Sequence, residues 1–203
     1  MKLYKRNKPI RGVGINDADY FVKQHALIDG KTTRIWTCPF YVRWVSMIDR
    51  CYANLTEGRP NYSDCTVHED WKYFSNFKAW METQDWEGKQ LDKDILFKEN
   101  KVYSPETCIF VDQKVNKFLC ESNATRGEFP IGVSYDKRTG KYLSRARALY
   151  PNKQKNLGLY PTPEEAHAAW LAFKLEQARI LASEQTDHRI AKALIERYEN
   201  YTY

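Results

Sequence analysis

Two sets of residues in this 203-residue sequence have the types and spacing to do chemistry. The first is L-D-K-D at 91–94, with Asn116 downstream. KQLDKDIL alternates as a short strand does, and CIFVD reads as a second strand. FKENKVYSPET between them reads as a loop, since Pro105 bars a central strand position. QKVNKFLCE begins a helix, with Asp112 suited to its N-cap. This order puts the Asp92 carboxylate at the end of a strand and the Asn116 amide on a helix. Together they would offer hard oxygen donors to one Mg or Mn ion against a phosphodiester, stabilising the leaving oxygen while a base prepares water. Lys93 is a poor base at neutral pH, because a lysine titrates near ~10.4 unless strongly desolvated. It would instead orient water or stabilise charge on the phosphorane. Asp94 and His68 are the other candidate bases, Asp94 serving equally as a second ligand or a surface acid. A plain Asp92–Lys93 salt bridge is the non-catalytic reading.

The second set is KYLSRARALY, where strand alternation puts Lys141, Leu143, Arg145 and Arg147 on one face and Tyr142, Ser144, Ala146 and Ala148 on the other. The small residues suit close packing under a helix. The opposite face then carries two arginines and a lysine on a rigid strand. An arginine there can fork onto guanine O6 and N7 in the major groove, which admits a sheet. Arg138, Lys153 and Lys155 fall in the flanking turns, within reach of phosphates.

The elements that position these sets are set by periodicity. Residues 1–35 read as a basic, glycine-punctuated arm with little structure of its own. From Phe40 the period turns helical, with Tyr41, Trp44, Val45, Ile48 and Tyr52 on one face. NLTEGRPNYSD is a loop, and a second helix turns Trp71, Phe74, Phe77 and Met81 inward. The segment from Ser122 to Arg126 is polar and joins two parts of the chain. IGVSYD, KYLSRARALY and LGLYPT are three strands separated by turns. Thr162 caps the long helix after them, with Pro163 at its first position and Glu165 completing a capping box.

Charge is distributed unevenly. Residues 2–11 hold Lys2, Lys5, Arg6, Lys8 and Arg11 with no acid, a net +5; residues 126–158 hold eight basic residues against Glu128 and Asp136, a net +6. The chain as a whole is only +6, so the remainder nets −5. Two basic zones on an acidic body point to a polyanion met at two places. The composition excludes disorder, collagen and coiled coil, and no run of 18 apolar residues supplies a membrane span. The N-terminus lacks the apolar stretch of a secretory signal. Five irregularly spaced cysteines point to a reducing compartment and free thiols, with zinc not expected from Cys38, Cys51, Cys65, Cys108, Cys120 and His68. His25, His167 and His188 read as structural or solvated.

GVSYDKRTGKYLSRAR and LGLYPTPEEAHAAW, taken in order, resemble the Apetala-type (ethylene-response-factor) DNA-binding domain. The match runs through Gly132, Val133, Gly140, Lys141, Tyr142, Arg147, Leu157, Gly158, Tyr160, Thr162, Glu165 and Ala166. That resemblance implies DNA binding through the exposed sheet face, with Arg147 at the family's arginine position and Ser134 and Asp136 replacing its first-strand basic residues. W-x-x-M-x-x-R-C-Y (Trp44 to Tyr52), LDKD and Y-S-P-E-T-C resemble a phage branch of the HNH, or His-Me finger, endonucleases. That family has Asp-His where this chain has Asp92-Lys93, and an asparagine where it has Thr107. The expectation is an α+β protein: a basic arm at 1–35, a degenerate ββα-metal nuclease-like unit at 36–121 preceded by helices, a three-stranded antiparallel sheet on one helix at 126–182, and a helical tail at 183–203. By resemblance it is a phage homing endonuclease working in the bacterial cytoplasm, hydrolysing double-stranded DNA with Mg or Mn. Lys93, Asp92 and Asn116 would be catalytic. Lys141, Arg145, Arg147, Arg138, Lys153, Lys155 and the basic arm at 1–12 would bind DNA. A catalytically inactive DNA-binding regulator and a partner of acidic protein or RNA stand as the alternatives.

Overall fold

The computed structural model describes residues 8–53, 62, 64–119 and 128–201. The 122–126 joining segment, Cys120, Lys2, Lys5, Arg6, Arg126 and most of the NLTEGRPNYSD loop lie outside them. The chain is mixed α+β and forms two compact units, residues 1–111 and 112–203.

Residues 8–37 hold more structure than an arm. Ile15 bridges to Tyr73, and the Asp17 carboxylate accepts the Ser75 N–H at 2.8 Å. Ala18 and Val22 are buried in the core. Strands β1 (Lys23–Ile28) and β2 (Lys31–Thr37) then form an antiparallel hairpin. Its turn is Asp29-Gly30, with φ of 49° and 75°, a dipeptide favoured where two successive residues must take left-handed backbone.

Helix α1 (Pro39–Tyr52) starts with proline at its first position and buries Tyr41, Trp44, Met47, Ile48 and Cys51 at three- and four-residue spacing. Strand β3 (Thr66–Val67) leads into a 3₁₀ turn at Glu69–Lys72 that inserts Trp71. Helix α2 (Phe74–Glu82) buries Phe74, Phe77 and Met81. The Trp44 indole N–H donates to the Trp71 carbonyl at 2.7 Å, so the aromatic core satisfies this polar atom internally. The aromatic-rich stretch is therefore core, as its helical spacing indicates.

Strand β4 (Gln90–Asp92) pairs antiparallel with β6 (Ile109–Val111), Asp92 lying opposite Ile109. The intervening segment is not all loop. It contains β5 (Val102–Tyr103), which pairs parallel with β3.

The second unit begins with α3 (Gln113–Leu119). The division falls ahead of this helix, because α3 packs against residues further along the chain. The Tyr198 hydroxyl donates to the Phe118 carbonyl at 3.4 Å, and the Lys174 ammonium lies 3.5 Å over the Phe118 ring. Strands β7 (Val133–Asp136), β8 (Lys141–Arg147) and β9 (Gln154–Tyr160) form an antiparallel sheet in that order. Helix α4 (Pro163–Ser183) lies behind it, and the Thr162 hydroxyl accepts the Glu165 N–H at 3.2 Å, as the capping box requires. Helix α5 (His188–Glu199) packs on α4 through Ile190, Leu194 and Tyr198.

Candidate functional site

The sheet of the second unit sorts its side chains by face. Ser144 and Ala146 are buried beneath α4 with Ala166 and Trp170, whereas Arg145, Arg147 and Lys141 are exposed. Small residues under the helix let the strand approach it closely, and the intervening arginines must then point to water. Gly132 fixes the packing distance. Its φ is +82°, a Cβ there would fall inside the Trp170 ring, and its carbonyl accepts the Arg145 N–H at 2.8 Å. His167 stacks on Trp170, and its Nδ1 meets the Ile131 carbonyl at 3.0 Å, so it is a packing residue.

The two guanidiniums are oriented without being consumed. Arg145 Nη2 donates to Ser134 Oγ at 3.2 Å, and Arg147 Nε donates to Asn152 Oδ1 at 2.7 Å. The register adds residues that sequence reasoning missed. Asn156 lies opposite Arg145 and Gln154 opposite Arg147, so this face presents amides beside arginines. Amides pair with adenine as arginine pairs with guanine. They were missed because PNKQKN looks like a turn, whereas β9 begins at Gln154.

Three cations differ in placement. Arg138 sits in the 137–140 turn, its N–H bonded to Asp136 Oδ1 at 3.0 Å. Lys153 is exposed in the turn before β9. Lys155 is in neither turn: it lies within β9 opposite Ala146, and its ammonium sits 5.0 Å from the Phe173 ring on α4. It therefore belongs to the helix side of the sheet and does not join the arginine face.

In the first unit, the residues after β4 fold inward on themselves. Asp92 Oδ1 accepts the N–H groups of Asp94 and Ile95 at 2.9 and 2.8 Å, closing a turn with its own side chain. Burial, and then the neighbouring Asp94 charge, push the Asp92 carboxyl above its ordinary value. Lys93 is only 6% exposed, and its ammonium donates to Asp94 Oδ2 and to the Asn100 carbonyl, both at 2.9 Å. Burial alone would lower its pKa, but the Asp94 hydrogen bond and charge outweigh that and the net direction is upward. The salt bridge in LDKD is thus Lys93–Asp94, not Lys93–Asp92. The Lys93 ammonium is thus buried, raised and spent on two internal acceptors.

Around this turn stand further groups. Arg50 Nη1 donates to the Leu91 carbonyl and to Tyr103 Oη, both at 3.4 Å. Asn100 donates to the Lys93 and Val102 carbonyls at 2.7 Å each. Thr107 Oγ1 donates to the Val102 carbonyl at 2.8 Å, making it a structural residue of the loop. Cys51, Cys65 and Cys108 are buried, which raises all three thiols, Cys51 and Cys108 to about 12. His68 Nδ1 accepts the Asp70 N–H at 3.3 Å and caps the 3₁₀ turn.

Asp92 lies in the first unit and Asn116, on α3, in the second. The carboxylate of Asp92 is an oxygen donor of the kind a hard cation takes, already fixed through Oδ1 by two backbone N–H groups. Among the described residues no group of three or more His, Cys, Asp or Glu side chains is arranged to hold a metal. No helix among them is long and apolar enough to cross a membrane. Of the basic arm, Arg11 is paired with Asp49 Oδ1 at 2.7 Å. No family model, curated protein or solved structure matches the chain.

Proposed function

We propose that this chain binds duplex DNA through the outer face of β7–β8–β9 and hydrolyses a phosphodiester bond from its first unit, as an endonuclease of the phage homing type. One observation carries the DNA-binding part: Arg145 and Arg147 are exposed on one strand while Ser144 and Ala146 between and beside them lie buried under α4. That arrangement presents rigid guanidiniums beside Asn156 and Gln154, a donor set suited to base edges in the major groove. Lys141, Arg138 and Lys153 flank it and would meet phosphates, which position the protein without specifying sequence.

The hydrolytic part rests on Asp92. A Mg or Mn ion there would neutralise the phosphate and stabilise the leaving oxygen. Asp92 would hold it, its orientation set by the Asp94 and Ile95 N–H groups. Lys93 ties Asp94 to the Asn100 carbonyl and so would brace the turn that carries Asp92. The alternative, a DNA-binding regulator with no catalysis, is favoured by one specific observation: the position where the resembled nucleases place their base holds an immobilised ammonium.

Supercoiled plasmid incubated with protein and Mg or Mn separates the two. The wild-type chain is expected to nick, and Asp92→Asn to lose about a hundredfold or more of that rate while still binding DNA. Arg145→Ala/Arg147→Ala is expected to weaken binding by at least about thirtyfold, since each bidentate base contact is worth roughly 1–3 kcal/mol. Tight binding without nicking by the wild-type protein would leave the regulator reading. Unchanged affinity in the double arginine variant would exclude the sheet as the DNA contact.

A further inference from the structure

The β1–β2 hairpin is the part of the fold that its own unit does not explain. A lone two-stranded hairpin is marginal in water and is normally stabilised by a hydrophobic face packed on something. Here nearly every residue of both strands is exposed, including Leu27 at 74%, Ile28, Ile35 and Trp36. The hairpin is a two-stranded sheet of its own, with no third strand among the described residues, so both outer edges are open. Its base is anchored: the Cys38 N–H donates to the Val22 carbonyl at 2.9 Å, and the Lys23 ammonium lies 5.6 Å from the Tyr41 ring.

Its chemistry selects a partner. Lys23, Lys31 and Arg34 stand against the single acid Asp29, a net +2 over residues 23–37. Arg34 lies directly opposite His25 on one face, and Lys31 opposite Ile28 on the other, so each face of the ribbon carries a β2 cation. Ile35 has no counterpart across the ladder, a bulge that increases local twist. Strands of six and seven residues span about 20 Å, enough to cross a major groove roughly 12 Å wide, into which a two-stranded ribbon fits. Leu27 shares a face with Arg34 and Trp36 shares the other with Lys31, so whichever face meets the bases offers one large apolar side chain to thymine methyls while Lys31 and Arg34 reach phosphates along the β2 edge.

We infer that the β1–β2 ribbon is a second duplex-DNA contact, seated in the major groove with Lys31 and Arg34 on the backbone. It rests on the reading of this chain as a duplex-DNA binder, and it adds an element separate from the arginine sheet. Two contacts from two units would lengthen the bound site and make affinity depend more steeply on salt.

The test uses the full chain, a fluorescent random-sequence duplex and a salt titration. Lys31→Ala/Arg34→Ala is compared with wild type and with Arg145→Ala/Arg147→Ala, each checked for an unchanged thermal melt. Both substituted side chains are exposed, so folding is expected to survive. Removing two phosphate contacts should flatten the slope of log affinity against log salt by about 1.8 and weaken binding about tenfold or more at physiological salt. Guanine N7 protection against dimethyl sulfate should shrink over part of the footprint in the same variant. Wild-type affinity, slope and footprint in Lys31→Ala/Arg34→Ala, with binding still lost in the other double variant, would overturn the ribbon and leave the sheet standing. A wild-type chain that binds no duplex would overturn both. An acidic protein as the true occupant would give the first of these results.

Discussion

The LDKD turn of the first unit and the RAR strand of the second are both short, charged and next to apolar sequence, yet the fold treats them oppositely. In the turn, Asp92 and Lys93 are drawn inward and spent on backbone groups and on each other's neighbours. In the strand, Arg145 and Arg147 are held at the surface by the burial of Ser144 and Ala146. The difference is one of geometry. A strand on a helix has a fixed inside and outside, so alternation alone decides which charge meets water. A turn has no such rule, and its charges go wherever unpaired carbonyls and N–H groups are left to satisfy. Charge density in sequence therefore marks exposed charge only where a regular element sorts it.

The comparison is broken most severely by removing the platform behind the arginines. Gly132→Ala places a methyl group inside the Trp170 ring at a residue with φ of +82°. Backbone strain and forced repacking each cost about 1–3 kcal/mol, so about 3 kcal/mol or more should be lost. Chemical denaturation of the full chain measures this. DNA affinity should fall with it, since the Gly132 carbonyl is also the acceptor for the Arg145 N–H. A variant that keeps wild-type stability would show that the sheet does not depend on this close approach.

Lys93→Met sharpens the other side. It keeps the length of the side chain and removes the ammonium, leaving the Asn100 carbonyl without its 2.9 Å donor. Loss of about 1–3 kcal/mol is expected by denaturation near neutral pH, with DNA binding through the sheet unchanged. The raised pKa gives a sign to check. A cation stabilised by folding contributes fully below the unfolded lysine pKa of about 10.4, and that contribution fades as pH rises through the higher folded value. The gap between wild type and variant should therefore narrow only in strongly alkaline buffer. Equal stability of the two proteins at neutral pH would mean the ammonium is not held as described.

Legibility in the sequence obeys the same division. The α4 start was written in T-P-E-E, the faces of β8 in its alternation, and the aromatic core in its helical spacing, because each is a local, periodic signal. The hairpin carried a D-G turn at 29–30 but no one-sided hydrophobic alternation, since neither of its faces is buried, and so it passed for an arm. Lys155 was misplaced because a run of Pro, Asn and Lys resembles a turn while β9 already begins at Gln154. The bonds of Lys93 to Asn100 and of Arg50 to Tyr103 join residues 7 and 53 positions apart, and no spacing rule encodes them.

The smallest effect is the most discriminating, because its sign is unusual. Asp136, in the second unit, has its carboxyl lowered chiefly by the Arg138 N–H. Such a group stabilises above the unfolded carboxylate pKa of about 3.9, and that stability is lost as pH falls through the lower folded value. Asp92 runs the other way: burial raises it, so its contribution is present below about 3.9 and is lost as pH rises through the folded value. Folding therefore disfavours its ionised form. Asp92→Asn keeps an oxygen to accept the Asp94 and Ile95 N–H groups and removes the buried charge. The variant should match wild type near pH 4 and become slightly more stable than it as pH rises, levelling off once the wild-type carboxyl is ionised in both states. Thermal melts across that range read the difference directly. A stability gain together with lost nicking would thus tie Asp92 to hydrolysis, whereas a variant less stable than wild type at neutral pH would make it a structural acid like those around Lys93.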